Sequence, residues 1–362
     1  MVMGVGMSGE DLKTAIETDV VVIGAGVIGL AIALELERRG FGVVVIERGN
    51  CMAEASTAAG GMLAVEDPHN PAEMLEFSRL SGGLYRRFLR RIEELSGFVV
   101  PFQTEKTVQY LGGGGRIWID EHSVDPGQLA EGLMAAVRAT SIRLMEQTRV
   151  GSVEKMARGL RLRTGAGVEI SATSVVYAAG AWTAEVTAEL AGVRVPVTPR
   201  KGQIMRVQVP EGLALTEVHR SARVYVMPRT KGVQAGSAII GATVEDAGFD
   251  TGVRDEDIAR LRELAAELVP EMGSATVIEA WAGLRPATPD LLPCIGAIGP
   301  RQFVASGHFR NGILWAPGTA VVVADLIEGR TPEIDISMLS PLRFAGNSDS
   351  GREEMGAAQV GR

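Results

Sequence analysis

The sequence is short of the residues from which covalent and metal frameworks are made. Its 362 residues include two cysteines, Cys51 and Cys294, and four scattered histidines, His69, His122, His219 and His308. Two cysteines give no disulfide framework or thiolate cluster, and the histidines lack metal-ligand spacing. A basic surplus is missing as well: 36 Lys and Arg stand against 44 Asp and Glu, a formal net charge of −8. That argues against nonspecific binding to nucleic acid or to an anionic membrane, both of which need basic patches. No apolar run reaches the roughly 18–20 residues of a membrane-spanning helix; the nearest, Val20–Leu34, is punctuated by glycines. Residues 1–18 contain Glu10, Asp11 and Glu17 and lack a basic stretch followed by an apolar core, so no secretory signal is read. A cytoplasmic protein is the expectation.

Glycine is plentiful, with 45 residues. The first that matter stand in Asp19–Arg48, DVVVIGAGVIGLAIALELERRGFGVVVIER. A β-branched run meets Gly24, Gly26 and Gly29, an apolar helix pattern follows, and a second strand, Val43–Ile46, ends at Glu47. This is a complete dinucleotide-binding βαβ unit. Gly24 permits the tight turn, Gly26 lets backbone approach a pyrophosphate, and Gly29 lets the helix pack on the sheet. The helix N-terminus offers unpaired N–H groups to phosphate. Glu47 stands where a carboxylate accepts from ribose hydroxyls. The unit alone leaves NAD and FAD open.

The length suggests about two domains. Residues 51–66 are small and weakly polar, suited to backbone lying against a ligand. Residues 72–95 carry apolar positions at helical spacing, interrupted at Gly82-Gly83, with Arg86, Arg87, Arg90 and Arg91 as a solvated face. Asp125-Pro126-Gly127-Gln128 starts a helix running to about Ala139, with Asp as N-cap and Pro at N1. Ser174–Gly180 reads as a buried strand ending on Gly180. Residues 203–244 read as an antiparallel sheet, Asp255–Leu268 as an amphipathic helix, and Thr319–Glu328 as the last helix. The fold class is therefore α/β: a Rossmann-like nucleotide domain of the glutathione-reductase type, with an antiparallel β-sheet substrate domain inserted into it. The expected division assigns residues 18–84, 125–200 and 285–332 to the nucleotide domain and 85–124 and 201–284 to the substrate domain. Residues 1–17 and 345–362 are expected to be flexible termini.

Three further segments, Ser56–Leu63 (STAAGGML), Trp281–Pro286 (WAGLRP) and Gly307–Leu314 (GHFRNGIL), favour FAD. With the βαβ unit, they make the chain, from about Asp19 to Thr331, resemble the D-amino-acid oxidase family of FAD-dependent amine oxidases, within it the glycine oxidase branch of thiamin biosynthesis. The resemblance implies that Val27, Ile28, Glu47 and Arg48 contact the pyrophosphate and adenosine of FAD. It implies that Ala55, Ser56, Gly60, Gly61 and Met62 line the flavin and that Val150 holds the adenine through its backbone. Gly180 joins this set. His308, Phe309, Arg310, Asn311, Gly312, Ile313 and Leu314 would wrap the other side of the ring. The helix starting near Thr319 would then aim its dipole at the pyrimidine end of the flavin. Cys294 does not sit where covalent relatives attach FAD, so the flavin is expected to be non-covalent.

For the substrate, the resemblance assigns Arg285 as the main carboxylate clamp, Arg310 as its neighbour and Tyr225 as a phenol donor. A guanidinium has the fork geometry for a buried carboxylate. The competing readings are that Arg285 pairs with an internal acid such as Asp290, and that Tyr225 is an ordinary strand aromatic. The implied reaction is hydride transfer from a small amino acid to flavin N5, giving an imine. Oxygen then yields hydrogen peroxide, and water releases a 2-oxo acid and ammonia. Glycine imine would feed thiazole synthesis. Glycine, sarcosine and small D-amino acids all remain candidates. The segment 99–125 is shorter than in similar chains, and Val244 is expected at a pocket position. The expected assembly is a homo-oligomer, with a tetramer as the named state. Three alternatives stay open: a dehydrogenase subunit passing electrons to a quinone or partner, a flavin-binding subunit without turnover, and an NAD enzyme.

Overall fold

The computed structural model describes residues 16–345. The first part of the chain supplies strands β1 (Ile16–Ile23), β2 (Val43–Ile46), β3 (Met62–Leu63), β4 (Phe102–Thr104), β5 (Thr107–Tyr110) and β6 (Arg116–Ile119). The middle supplies β7 (His122–Val124), β8 (Arg143–Met145), β9 (Val150–Lys155), β10 (Leu160–Thr164), β11 (Glu169–Tyr177) and β12 (Thr198–Gln208). The rest are β13 (Val218–Arg220), β14 (Tyr225–Arg229), β15 (Ser237–Gly241), β16 (Val277–Ala287), β17 (Cys294–Gly299) and β18 (Gln302–Ser306). The helices are α1 (Val27–Arg38), α2 (Leu75–Ser96), α3 (Pro126–Arg138), α4 (Thr183–Ala191), α5 (Asp255–Leu268) and α6 (Gly312–Glu328).

The first sheet runs β17-β18-β11-β1-β2-β8, with β10 and β9 folded back from β11. Its centre is parallel: Ile23 of β1 stands in register with Ile46 of β2 on one side and Tyr177 of β11 on the other. The run Val20–Ile23 is fully apolar because both faces are covered. Val20 and Val22 pack under α1, α2, α3 and α6, while Val21 and Ile23 join β10, β11 and Leu190 of α4. The period of two in a strand thus divides one run between two cores.

The second sheet runs β16-β12-β15-β14-β13-β5-β6. Met205, Val207 and Val226 face α5, whereas Ile204, Tyr225 and Met227 face the other way, toward Met62 and Trp281. A small third sheet, β3-β7-β4, stands beside these two. The two-layer plan matches the α/β expectation.

Several boundaries differ from the expectation. The division at residues 84 and 85 falls inside α2, which is continuous through Gly82-Gly83 and packs on α3 and α6. Residues 198–200 and 285–287, assigned to the nucleotide domain, are paired strand residues of the second sheet. Ile16 and Glu17, assigned to a flexible terminus, pair with Ile170 and Ser171. Residues 1–15 and 346–362 of the expected termini lie outside the described residues.

The last helix begins at Gly312, not near Thr319. Pro317-Gly318 reads as a break because proline removes a ladder donor. Here the ladder is carried across by another helix. The Ser81 hydroxyl donates to Leu314 O at 2.7 Å and accepts from Gly318 N at 2.9 Å. It is inserted where the direct bond would close. Gly318 is required for this approach: a Cβ there would lie 2.8 Å from Ser81 Cβ. Ser81→Ala is expected to lower the unfolding free energy by about 1–2 kcal/mol, because two buried backbone groups lose their partner. A lowered urea midpoint at unchanged m-value checks this; an unchanged midpoint would mean that the ladder closes unaided.

Candidate active site

Two cavities meet between the sheets. One, of about 470 Å3, lies along the C-terminal ends of β1 and β2 and is lined by Gly24, Gly26, Glu47, Arg48, Val150 and Trp182, among others. The other, of about 160 Å3, runs on toward the second sheet. Gly26, Ala55, Ser56, Ala178 and Gly180 line both, so the two form one trench.

The first cavity suits the adenosine and pyrophosphate of a dinucleotide. Helix α1 begins at Val27, with no side-chain cap from Gly26. Instead, Val27 N donates to Ser56 Oγ at 2.9 Å, which leaves the serine proton for a phosphate oxygen. The carboxylate of Glu47 accepts from Ala25 N and Gly49 N, both at 2.9 Å. A carboxylate has about four lone-pair sites, so acceptor capacity remains for ribose hydroxyls. The Arg48 guanidinium lies 4.2 Å from the centroid of Trp182, which itself stacks on Phe249. Trp182 was not among the residues the sequence singled out. Val150, at the start of β9, is buried on this wall. Ile28 and Gly29 belong to the buried first turn of α1.

The second cavity brings together most of the predicted flavin-lining residues: Ala55, Ser56, Gly60, Gly61, Met62, His308, Phe309, Arg310, Asn311, Gly312 and Ile313. Leu314 is buried in α6 and does not reach it. Because α6 begins at Gly312, its N-terminal amides open directly on the cavity, about two turns earlier than the sequence suggested. The Gly307–Asn311 loop is fixed by Phe309 N donating to Pro286 O at 2.8 Å and by the Asn311 amide donating to Asn70 Oδ1 at 2.8 Å. His308 is fully buried; its Nε2 stands 3.0 Å from Thr319 Oγ1, and its Nδ1 has no partner among the described residues. An unpartnered buried nitrogen, uncapped helix amides and a glycine-lined wall fit a flat polar ring system.

Tyr225 and Arg285 come to this cavity from the second sheet. Arg285 lies deep in the protein yet keeps surface open to the cavity. Its Nη1 donates to Thr243 O at 3.0 Å and weakly to Lys201 O at 3.4 Å. Burial pulls the guanidinium below its ordinary pKa, although the nearby Tyr225 acts the other way. Asp290, the internal acid named for the competing reading, is paired with Arg343 at 2.8 Å instead, and Glu245 acts on Arg285 only at Coulombic range. Burial raises the pKa of Tyr225, against the opposing Arg285 charge, so the ring stays a neutral phenol. Arg310 also lines the cavity but is exposed.

The sequence reading missed what seats these groups. A Cβ at Gly202 would lie 2.0 Å from Arg285 Nη1, and one at Gly241 would lie 2.6 Å from Tyr225 Oη. A glycine inside a strand is the signal for such an approach, and KGQ and GAT carried it. Val244 is 59% exposed and does not line the cavity, contrary to expectation. Cys294 is buried beside Arg343, away from the trench.

A family model described as FAD dependent oxidoreductase matches residues 19–113 and 99–326. The chain belongs to this family, and FAD is its cofactor. The bifunctional protein ThiO/ThiG of Nostoc sp. is 35% identical over 353 residues, covering 85% of this chain and 52% of that protein. The chain thus spans about half the length of these bifunctional relatives. Glycine oxidase of Pseudomonas aeruginosa is 32% identical over 364 residues, covering 89% of this chain and 98% of that protein. The crystal structure of glycine oxidase from Geobacillus kaustophilus superposes with a TM-score of 0.84 at 28% identity, covering 91% of this chain and 99% of that one. Among the described residues no helix is long and apolar enough to cross a membrane.

Burial lowers the His308 pKa from 6.5 to about 3. Between those values the unfolded chain binds a proton that the folded chain does not, so stability falls as the pH falls through this window. His308→Gln should remove that dependence. The difference in unfolding free energy between the two proteins should then change by up to about 1.4 kcal/mol per pH unit near pH 5. A difference that is flat with pH would mean that His308 titrates alike in both states.

Proposed function

We propose that this FAD-dependent oxidoreductase is an amine oxidase acting on glycine and other small amines, such as sarcosine and small D-amino acids. The observation that carries the reading is Arg285: a deeply held cation, hydrogen-bonded among the described residues only to carbonyl oxygens, facing a cavity continuous with the dinucleotide trench. A buried guanidinium without an anion is costly, and an arriving carboxylate supplies its counter-ion. The similarity to glycine oxidases and to about half the length of bifunctional ThiO/ThiG proteins supports the same substrate class. It also supports a role in supplying glycine imine for the thiazole of thiamin.

Bound FAD would supply the two-electron acceptor, with oxygen as the final oxidant, reduced to hydrogen peroxide. The chain's part is to bind and orient. Arg285 would hold the substrate carboxylate by its fork, with the neutral Tyr225 phenol donating to the same group and Arg310 adding charge at the cavity mouth. Anchoring at one end fixes the direction of the Cα–H bond, and most of the rate enhancement asked of the protein is of this kind. The amine reacts as the free base, since an ammonium has no lone pair to stabilise the imine. The apolar walls, including Met62 and Ile204, exclude water while the bond breaks. Hydrolysis of the released imine to a 2-oxo acid and ammonia needs only solvent.

Anaerobic addition of glycine, sarcosine or D-alanine to the yellow holoenzyme is expected to bleach it, and air should then restore the colour with formation of peroxide. No bleaching by any of the three overturns the proposal; bleaching without peroxide makes the protein a dehydrogenase. Arg285→Lys is expected to lower kcat/KM by about a hundredfold, or about 2.7 kcal/mol, with FAD content unchanged. Retained kcat/KM would remove Arg285 from carboxylate binding.

A further inference from the structure

The substrate-side cavity has an anionic wall that the proposed reaction does not use. Asp67 lies in the turn that follows β3, is 8% exposed and lines the same cavity as Arg285 and Arg310. Its carboxylate is rigidly held. Oδ1 accepts from His69 N and contacts His69 Nδ1, both at 2.9 Å. Oδ2 lies 3.6 Å from Nη1 of Arg220. Arg220 is 1% exposed, donates to Gln109 Oε1 at 2.7 Å, and shares its charge with Glu121 at 3.1 Å. It does not itself reach the cavity, so the ion pair presents its negative end inward. Burial alone would raise the Asp67 pKa, but Arg220, the His69 contacts and the more distant Arg310 outweigh it and hold the carboxyl below its ordinary value. Burial pushes Glu121, on the far side of Arg220, upward. Asp67 is thus held toward its ionised form by geometry and charge together, and an ionised carboxylate has no proton to donate.

We infer that Asp67 is a specificity-determining residue that restricts this cavity to amines bearing a single carboxylate. The inference rests on the amine-oxidase reading above. One substrate carboxylate is matched by Arg285. A second carboxylate on the same small molecule would meet Asp67, acceptor against acceptor and like charge against like, in a site where neither group is well solvated. Arg310 could attract such a group, but it stands at the exposed mouth and lies within Coulombic range of Asp67 itself. Asp67 therefore competes for the charge that a dicarboxylate would need.

The test uses malonate and malonamate, its half-amide, which have the same shape and differ in one charge. The FAD-loaded enzyme is titrated with each, and binding is read from the flavin absorbance. Wild type should bind malonamate at least tenfold more tightly than malonate, a factor equal to about 1.4 kcal/mol. Asp67→Asn keeps an acceptor for His69 N and should reduce that preference at least tenfold. The same variant should raise kcat/KM for iminodiacetate relative to glycine. A wild-type preference below threefold overturns the inference, as does a preference that the variant leaves unchanged. If the variant fails to retain FAD, the wild-type comparison alone decides. If no amine bleaches the wild-type enzyme, the oxidase reading falls while the malonate titration still judges Asp67.

Discussion

A guanidinium held deep between two sheets, with carbonyl oxygens for partners and no carboxylate bonded to it among the described residues, is the constraint around which the second sheet is arranged. Arg285 lies across β12 because Gly202 leaves its guanidinium room, and the register of β12 with β16 sets the two residues near each other. Tyr225 reaches the same space over Gly241 on the neighbouring strand. The bare backbone at these positions gives the site its floor. The acids of neighbouring segments are engaged by other cations: Asp290 by Arg343, and Glu245 and Asp250 by the buried Lys201.

The nucleotide half answers a different demand, which is to gather unpaired donors without burying them unsatisfied. The parallel centre of the first sheet delivers α1, the Glu47 carboxylate and the Gly180 turn to one edge. The segment 55–62 then serves both halves. Ser56 touches the start of α1, and Gly60 O accepts from Arg229 at 2.9 Å in the second sheet. One short stretch of small residues is thus the hinge of the two cavities, and its composition reflects contact on both sides.

The parts legible in the sequence are those whose cause is local. The βαβ unit, the Asp125 cap of α3 and the amphipathic α5 each follow from residues a few positions apart, and the structure has all three. GHFRNG was readable because the turn and the helix start lie side by side. What escaped depends on partners far along the chain. Pro317-Gly318 looked like a break, with the helix starting only near Thr319, because the hydroxyl that bridges it belongs to Ser81. Trp182 becomes a wall of the trench only when Arg48 covers it. Asp67 is one acid among 44 Asp and Glu until Arg220 and the cavity are placed beside it. Val244 was set in the pocket by likeness alone, and the strand it follows turns it outward.

The strand order of the first sheet also bears on the life of the chain before the enzyme exists. β1 is joined by β11, and β11 by β18, so the sheet that carries the cofactor is completed by residues near 304, and its last wall by the start of α6. Contacts of such long sequence separation form late, and synthesis delivers the N-terminal βαβ unit long before its partners. Until the Gly307–Asn311 loop has left the ribosome, the nascent chain carries the glycine turn after β1 without the wall that closes the second cavity. A ligand that binds the folded chain and bridges the βαβ unit and the Gly307–Asn311 loop would stabilise it by holding together segments far apart in sequence.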